Sequence, residues 1–128
     1  MPWIANICLK LLSRESPVDF IYAGHTHAET SWSIREHSHP FHELVIVVRG
    51  AERVRIRDQE LIIAAGAAIL FPPGTPHQEW SLPPGPLEAY YTAFLWPDAP
   101  GDLPLTCLDR KGRLHCMTQW LNEEMDAY

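Results

Sequence analysis

Apolar and polar positions alternate at short range through most of the chain. Phe41 to Val48 is the most strand-like stretch, with four β-branched residues in succession (Val45, Ile46, Val47 and Val48), and Arg49-Gly50 ends it. Arg53 to Arg57 alternates Arg with aliphatic residues, which predicts a half-buried strand with Val54 and Ile56 inward. Asp58-Gln59 reads as a tight connection. Leu61 to Ile63 and Ala68 to Phe71 are short strands parted by Gly66. Pro72-Pro73-Gly74 and Pro76 form a rigid turn, and His77 to Leu82 continues as a strand. After the loop Pro83-Pro84-Gly85-Pro86, Leu87 to Trp96 is a last long strand. Upstream, Val18 to Ala23 and Trp32 to Arg35 complete about eight short strands, a count that suggests a barrel or sandwich.

The tail changes period. Past the Pro- and Gly-rich linker 97–104, Leu114, Met117, Leu121, Met125 and Tyr128 recur every three or four residues, with Trp120 beside them. Gln119, Asn122, Glu123 and Asp126 take the other side. The expected organisation is a β-barrel over 1–104, then a linker and an amphipathic helix over 105–128. Leu44, Ile46 and Val48 lie on the face of their strand that points away from the barrel interior, yet are apolar. The N-terminal segment, the tail helix or a second copy of the chain must cover them.

Composition narrows the function classes. The 128 residues suffice for one domain, and 46% hydrophobic content suffices for a core. Sixteen acidic residues against ten basic give a net charge of -6, which disfavours direct contact with nucleic acid. Three Cys without a CxxC pair fit a reducing, cytoplasmic setting with free thiols. The apolar run Ile4 to Leu12 is short, carries Asn6 and Lys10, and has no basic residues before it. It reads as a short packing element, neither a signal peptide nor a membrane span.

The candidate chemistry lies in Glu36-His37-Ser38-His39-Pro40-Phe41-His42-Glu43. In a strand, alternate side chains share a face. His37, His39 and Glu43 have one parity and can converge inside a barrel, whereas His42 has the other and is expected at the surface. Two imidazoles and a carboxylate suit zinc, iron(II), manganese, nickel or copper without choosing among them. His77, past the Pro-Gly turn, is positioned to return across the barrel as a fourth ligand. By parity from His77, Glu79 faces inward and Trp80 outward. A second HxH, Gly24-His25-Thr26-His27, has no carboxylate at matching distance and reads as a loop or strand end. Arg53, Arg55 and Arg57 read as a solvated outer face.

His37-x-His39-x3-Glu43-x6-Gly50 and Gly66-x5-Pro72-x-Gly74-x2-His77 resemble the two conserved motifs of the cupin superfamily. Ser31 and Ser81 replace a Gly and an Asn of the pattern, neither of them a metal ligand in cupins. The texture from Phe41 to Gly50 and from Leu70 to His77 resembles the N-terminal sensing domain of AraC-type bacterial transcription regulators, as does the tail from Asp109 to Arg113 and Trp120 to Glu124. The resemblance implies an all-β cupin barrel with a C-terminal helix and a divalent metal on His37, His39, Glu43 and His77. It also implies a small effector in the barrel and a homodimer formed through the helix.

DNA contact would then belong to a separate helix-turn-helix domain absent from this chain. Sugars or related metabolites are plausible effectors by that resemblance. Trp32, Phe41 and Trp80 can stack on such a ligand, and Glu79 can bind its hydroxyls. Tyr90 or Tyr91 can line the pocket; parity does not choose, and the ligand-contacting set is Trp32, Phe41, Glu79 and Tyr91. The alternative is a stand-alone metal-dependent cupin enzyme, a dioxygenase, isomerase or lyase, with Glu79 as acid or base.

Overall fold

β-branched side chains pack well on a pleated surface, and the Val45–Val48 run lies in a strand buried on both faces. The structure, a computed structural model, describes residues 18–126. The N-terminal segment and Tyr128 of the helical stripe lie outside the described residues.

Nine strands precede one helix among the described residues: β1 (Asp19–Ala28), β2 (Ser33–His37), β3 (His42–Arg49), β4 (Ala51–Ile56), β5 (Gln59–Ala64), β6 (Ala67–Phe71), β7 (His77–Ser81), β8 (Leu87–Leu95), β9 (Thr106–Leu108) and α1 (Arg113–Asp126). They form a five-stranded sheet, β1-β8-β3-β6-β9, and a four-stranded sheet, β2-β7-β4-β5, antiparallel throughout. Val45, Val47, Ile69 and Phe71 of the first meet Val54, Ile56 and Ile63 of the second in an inner core. Val54 and Ile56 thus point inward as the alternation predicts. No helix among the described residues is long and apolar enough to cross a membrane.

Leu44, Ile46 and Leu70 point to the other side of the five-stranded sheet and pack with Leu114 and Met117 of α1. The tail helix therefore covers the apolar outer face. Full burial of each such side chain is worth about 2 kcal/mol. Asp109 starts the helix: its two carboxylate oxygens accept the backbone N–H groups of Leu114 and His115, each at 3.0 Å. Trp120 and Met125 stay on the exposed side.

Four local expectations change. The HxH at His25 and His27 lies within β1, because nine of its ten residues pair with β8. Arg57 belongs to a turn, not to a strand: Arg57 and Asp58 both have positive φ (50° and 59°) and close the β4–β5 hairpin as its two-residue loop. A ninth strand, β9, pairs with β6 across the sheet edge. His42 is buried rather than at the surface, because its ring stacks on Phe94 (5.6 Å between centroids) and lies near Trp96 (5.7 Å).

Gly50 must be glycine for two reasons. Its φ is +78°, and a Cβ there would overlap the carbonyl oxygen of Pro86. Gly66 also has a positive φ, +89°, but faces open space. We predict that Gly50→Ala costs about 3 kcal/mol or more, against about 1 kcal/mol for Gly66→Ala. Urea unfolding of the two variants measures the difference; equal costs would show that the Pro86 contact is unimportant.

Candidate functional site

Three imidazoles meet at one end of the barrel. His37 closes β2, His39 sits in the β2–β3 connection and His77 opens β7. The Pro-Gly turn is tied directly to that connection, since the Gly74 N–H donates to the His39 carbonyl at 2.8 Å. That hydrogen bond joins the strand pairings of His37 with His77 and of Glu43 with Phe71 in holding the two motifs in register. His77 is fully buried and stacks on Phe71 at 3.9 Å; His39 stacks on Phe41 at 4.4 Å.

Each ring is oriented by its own backbone neighbourhood. Nδ1 of His37 lies 2.9 Å from the Arg35 carbonyl, that of His39 lies 2.8 Å from Phe41 O, and that of His77 lies 2.9 Å from Thr75 O. A carbonyl only accepts, so each Nδ1 carries a proton and Nε2 is the ring atom left to bind. Nε2 of His39 and of His77 are buried without a protein partner. The imidazole ligand atoms of the triad lie within 4.8 Å of one another. Buried lone pairs that converge without donors are costly unless something fills the centre. A divalent ion fits them, and the fixed tautomers are the arrangement that metal-binding histidines adopt.

Glu43, the fourth expected ligand, is adjacent: its Oε1 lies 4.0 Å from His39 Nε2. The Tyr22 hydroxyl donates to its Oε2 at 3.0 Å. Glu43 also forms a second cluster with His77 and Glu79, again with ligand atoms within 4.8 Å. The structure thus brings His37, His39, Glu43 and His77 together, with Glu79 beside them.

Burial sets the electrostatics. It pushes His77 down to about 4 and lowers His39, so both rings are neutral at pH 7. It pushes Glu43 up to about 7, with the charge of Glu79 adding to the effect. Burial likewise holds Glu52 well above the usual carboxylate range, aided by Glu79. Glu52 escaped the sequence reading. It is 1% exposed and points inward from β4 on the same parity as Val54 and Ile56, which is the signal that could have found it.

A cavity of about 480 Å³ opens beside the histidines. Trp32, Tyr91 and Glu79 line it as expected, together with Tyr22, His37 and Glu52. Tyr90 faces the helix side, so the alternation resolves in favour of Tyr91. Phe41 stacks on His39, meets Tyr22 edge-on at 5.7 Å, and lines a separate outer cleft rather than this cavity. Trp80 is not available to a barrel ligand: it faces outward, with the guanidinium groups of Arg53 and Arg55 at 4.8 and 5.5 Å from its ring. Arg55 also pairs with Glu60 at 3.0 Å. Ser81 has its own task, since its Oγ accepts the Trp32 N–H at 2.8 Å and fixes one wall of the cavity.

Comparison with solved structures gives the same fold. An RmlC-like cupin from Shewanella frigidimarina NCIMB 400 aligns with a TM-score of 0.53 at 18% identity, over 62% of this chain and 69% of its own. A cupin superfamily protein from Desulfitobacterium hafniense DCB-2 gives 0.53 at 13% identity, over 66% and 83%. KdgF from Halomonas sp. gives 0.52 at 22% identity, over 62% and 73%. No curated protein matches the sequence. Residues 21–103 match the family model of the AraC-like ligand binding domain, and the chain, a cupin in fold, belongs to that family.

Proposed function

We propose that this chain is the small-molecule sensing domain of an AraC-type transcription regulator, with a divalent metal and an effector side by side in the barrel. His37, His39 and His77 hold the metal through Nε2, and Glu43 completes the set. The single observation that carries the metal is the shared orientation of the rings: every Nδ1 is occupied by a backbone carbonyl, while Nε2 of His39 and His77 is buried without a partner. The ion supplies a Lewis-acidic contact for an oxygen or nitrogen of the effector. Trp32, Tyr91 and Glu79 hold the rest of the effector.

β3 supports a route from ligand to output. Its inward side chains include Glu43 and Val45 at the cavity, and its outward side chains Leu44 and Ile46 lie under α1. A ligand that shifts β3 repacks the helix, and a helix that exposes Trp120 and Met125 can pair with a second copy. DNA contact, on this reading, belongs to a separate domain.

Two outcomes follow. Zinc added to chelated protein should bind at about one ion per chain, and His39→Ala should weaken that binding by about a hundredfold or more, as read by metal analysis after dialysis. Wild-type protein that retains no zinc would remove the metal from this reading. Zinc uptake should also release protons in a pH-dependent way. His39 and His77 are already neutral at pH 7, whereas Glu43, pushed up to about 7, is about half protonated there. Glu43 should therefore contribute about half a proton at pH 7, close to one at pH 6 and almost none at pH 8. Calorimetry in buffers of different ionisation heat measures the release; a release independent of pH would exclude Glu43 as the titrating ligand.

A further inference from the structure

The outer cleft is nearly as large as the inner cavity, about 460 Å³ against about 480 Å³, and no described residue lines both. Phe41 parts them. Its ring lines the cleft, while His39 at 4.4 Å and Tyr22 at 5.7 Å lie on the side of the metal site and the cavity. The cleft walls come from three connections. Pro40 stands between β2 and β3, Pro72 and Pro73 after β6, and Pro97, Pro100 and Pro104 in the linker after β8. A proline ring fixes φ and carries no N–H, so these walls are rigid and apolar and offer no backbone donor. Rigid walls lose little freedom when a ligand settles on them.

Polar groups are few. Asp19 and Arg57 are exposed on the lining, one of each sign. An ion of either charge therefore meets one attraction and one repulsion, and loses its hydration against the prolines. A neutral ligand escapes both costs. His42 differs from these two: it lines the same cleft, yet is only 6% exposed, and its Nδ1 is buried without a hydrogen-bond partner. Its ring neighbours, Phe94 at 5.6 Å and Trp96 at 5.7 Å, hold it through their faces and leave that nitrogen unsatisfied. A neutral imidazole has one nitrogen that donates and one that accepts, so a hydroxyl, which does both, meets it in either tautomer.

We propose that this cleft is a second small-molecule site, for a neutral ring-bearing alcohol or phenol. The ligand's ring lies among the prolines and Trp96, and its hydroxyl bonds the imidazole of His42. The site stands apart from the effector cavity and does not depend on the metal. It also gives His42 a specificity-determining part on the face of β3 opposite Glu43.

Three probes of one skeleton test it on the full chain: 2-naphthol, 2-methylnaphthalene and 2-naphthoate. By calorimetry, 2-naphthol should bind at about one molecule per chain, and 2-methylnaphthalene about threefold to tenfold more weakly for want of the hydroxyl. The carboxylate should bind most weakly. Nuclear Overhauser contacts from 2-naphthol should reach Trp96 and Leu103, not Trp32 and Tyr91. His42→Phe keeps a flat ring and removes the nitrogens. It should reduce 2-naphthol to about the affinity of 2-methylnaphthalene and leave 2-methylnaphthalene within about twofold. Ala99→Trp lies in the linker, where Ala99 lines the cleft and packs on the outer core, and should weaken 2-naphthol by about tenfold or more by filling the space.

Absence of 2-naphthol binding, contacts to Trp32 and Tyr91 instead, or full affinity in Ala99→Trp would overturn the site. A 2-naphthoate that binds as tightly as 2-naphthol would overturn the neutral class. Undiminished 2-naphthol binding in His42→Phe would overturn the hydroxyl contact. Probe affinity that falls as protein concentration rises would assign the cleft to a second copy of the chain and overturn the proposal as a whole.

Discussion

One strand serves two interiors. The period of two in β3 sends Glu43, Val45 and Val47 into the barrel and His42, Leu44 and Ile46 toward the other side of the sheet. A slip of one residue would exchange the two sets, placing His42 at the cavity and Glu43 against Leu114 and Phe94. Pairing on both edges, with β6 and β8, prevents that slip. The site, the inner core and the helix seat all depend on this register.

The second requirement is the accommodation of polar groups in a dry place. The barrel buries imidazoles and three carboxyl groups, and each is either oriented or left with a reason for a ligand. Backbone carbonyls two residues away hold the Nδ1 atoms of the triad, so orientation is achieved locally. The Gly74–His39 hydrogen bond then brings the second motif to the first. What local structure cannot satisfy is left at the centre: Nε2 of His39 and of His77, and Oε1 of Glu52. These unsatisfied atoms mark where the chemistry belongs.

Much of this was legible in the chain. Strict alternation, a β-branched run and a Pro-Gly turn give the barrel. Parity picks out His37, His39 and Glu43 as convergent, but they lie on β2, the β2–β3 connection and β3, so the crossing from one sheet to the other, not a shared strand face, brings them together. Parity cannot say whether the opposite face is covered, which is why His42 reads as a surface residue and proves buried. Glu52 shares the parity of Val54 and Ile56, but a charged residue at a strand start reads as solvated. Arg57-Asp58 closes a tight hairpin without the Asn-Gly or Asp-Gly that signals one. β9 is three residues long and is a strand only because β6 offers it an edge. Local pattern gives the direction of a side chain; long-range packing decides what it meets.

The proposed metal is held by imidazoles inside the barrel. X-ray absorption at the zinc edge of the loaded protein addresses the ligand atoms themselves. Three imidazole nitrogens and at least one oxygen are expected at about 2.0–2.2 Å, with the outer-shell scattering of imidazole rings. A shell of sulfur at about 2.3 Å, or oxygen ligands without imidazole scattering, would contradict it.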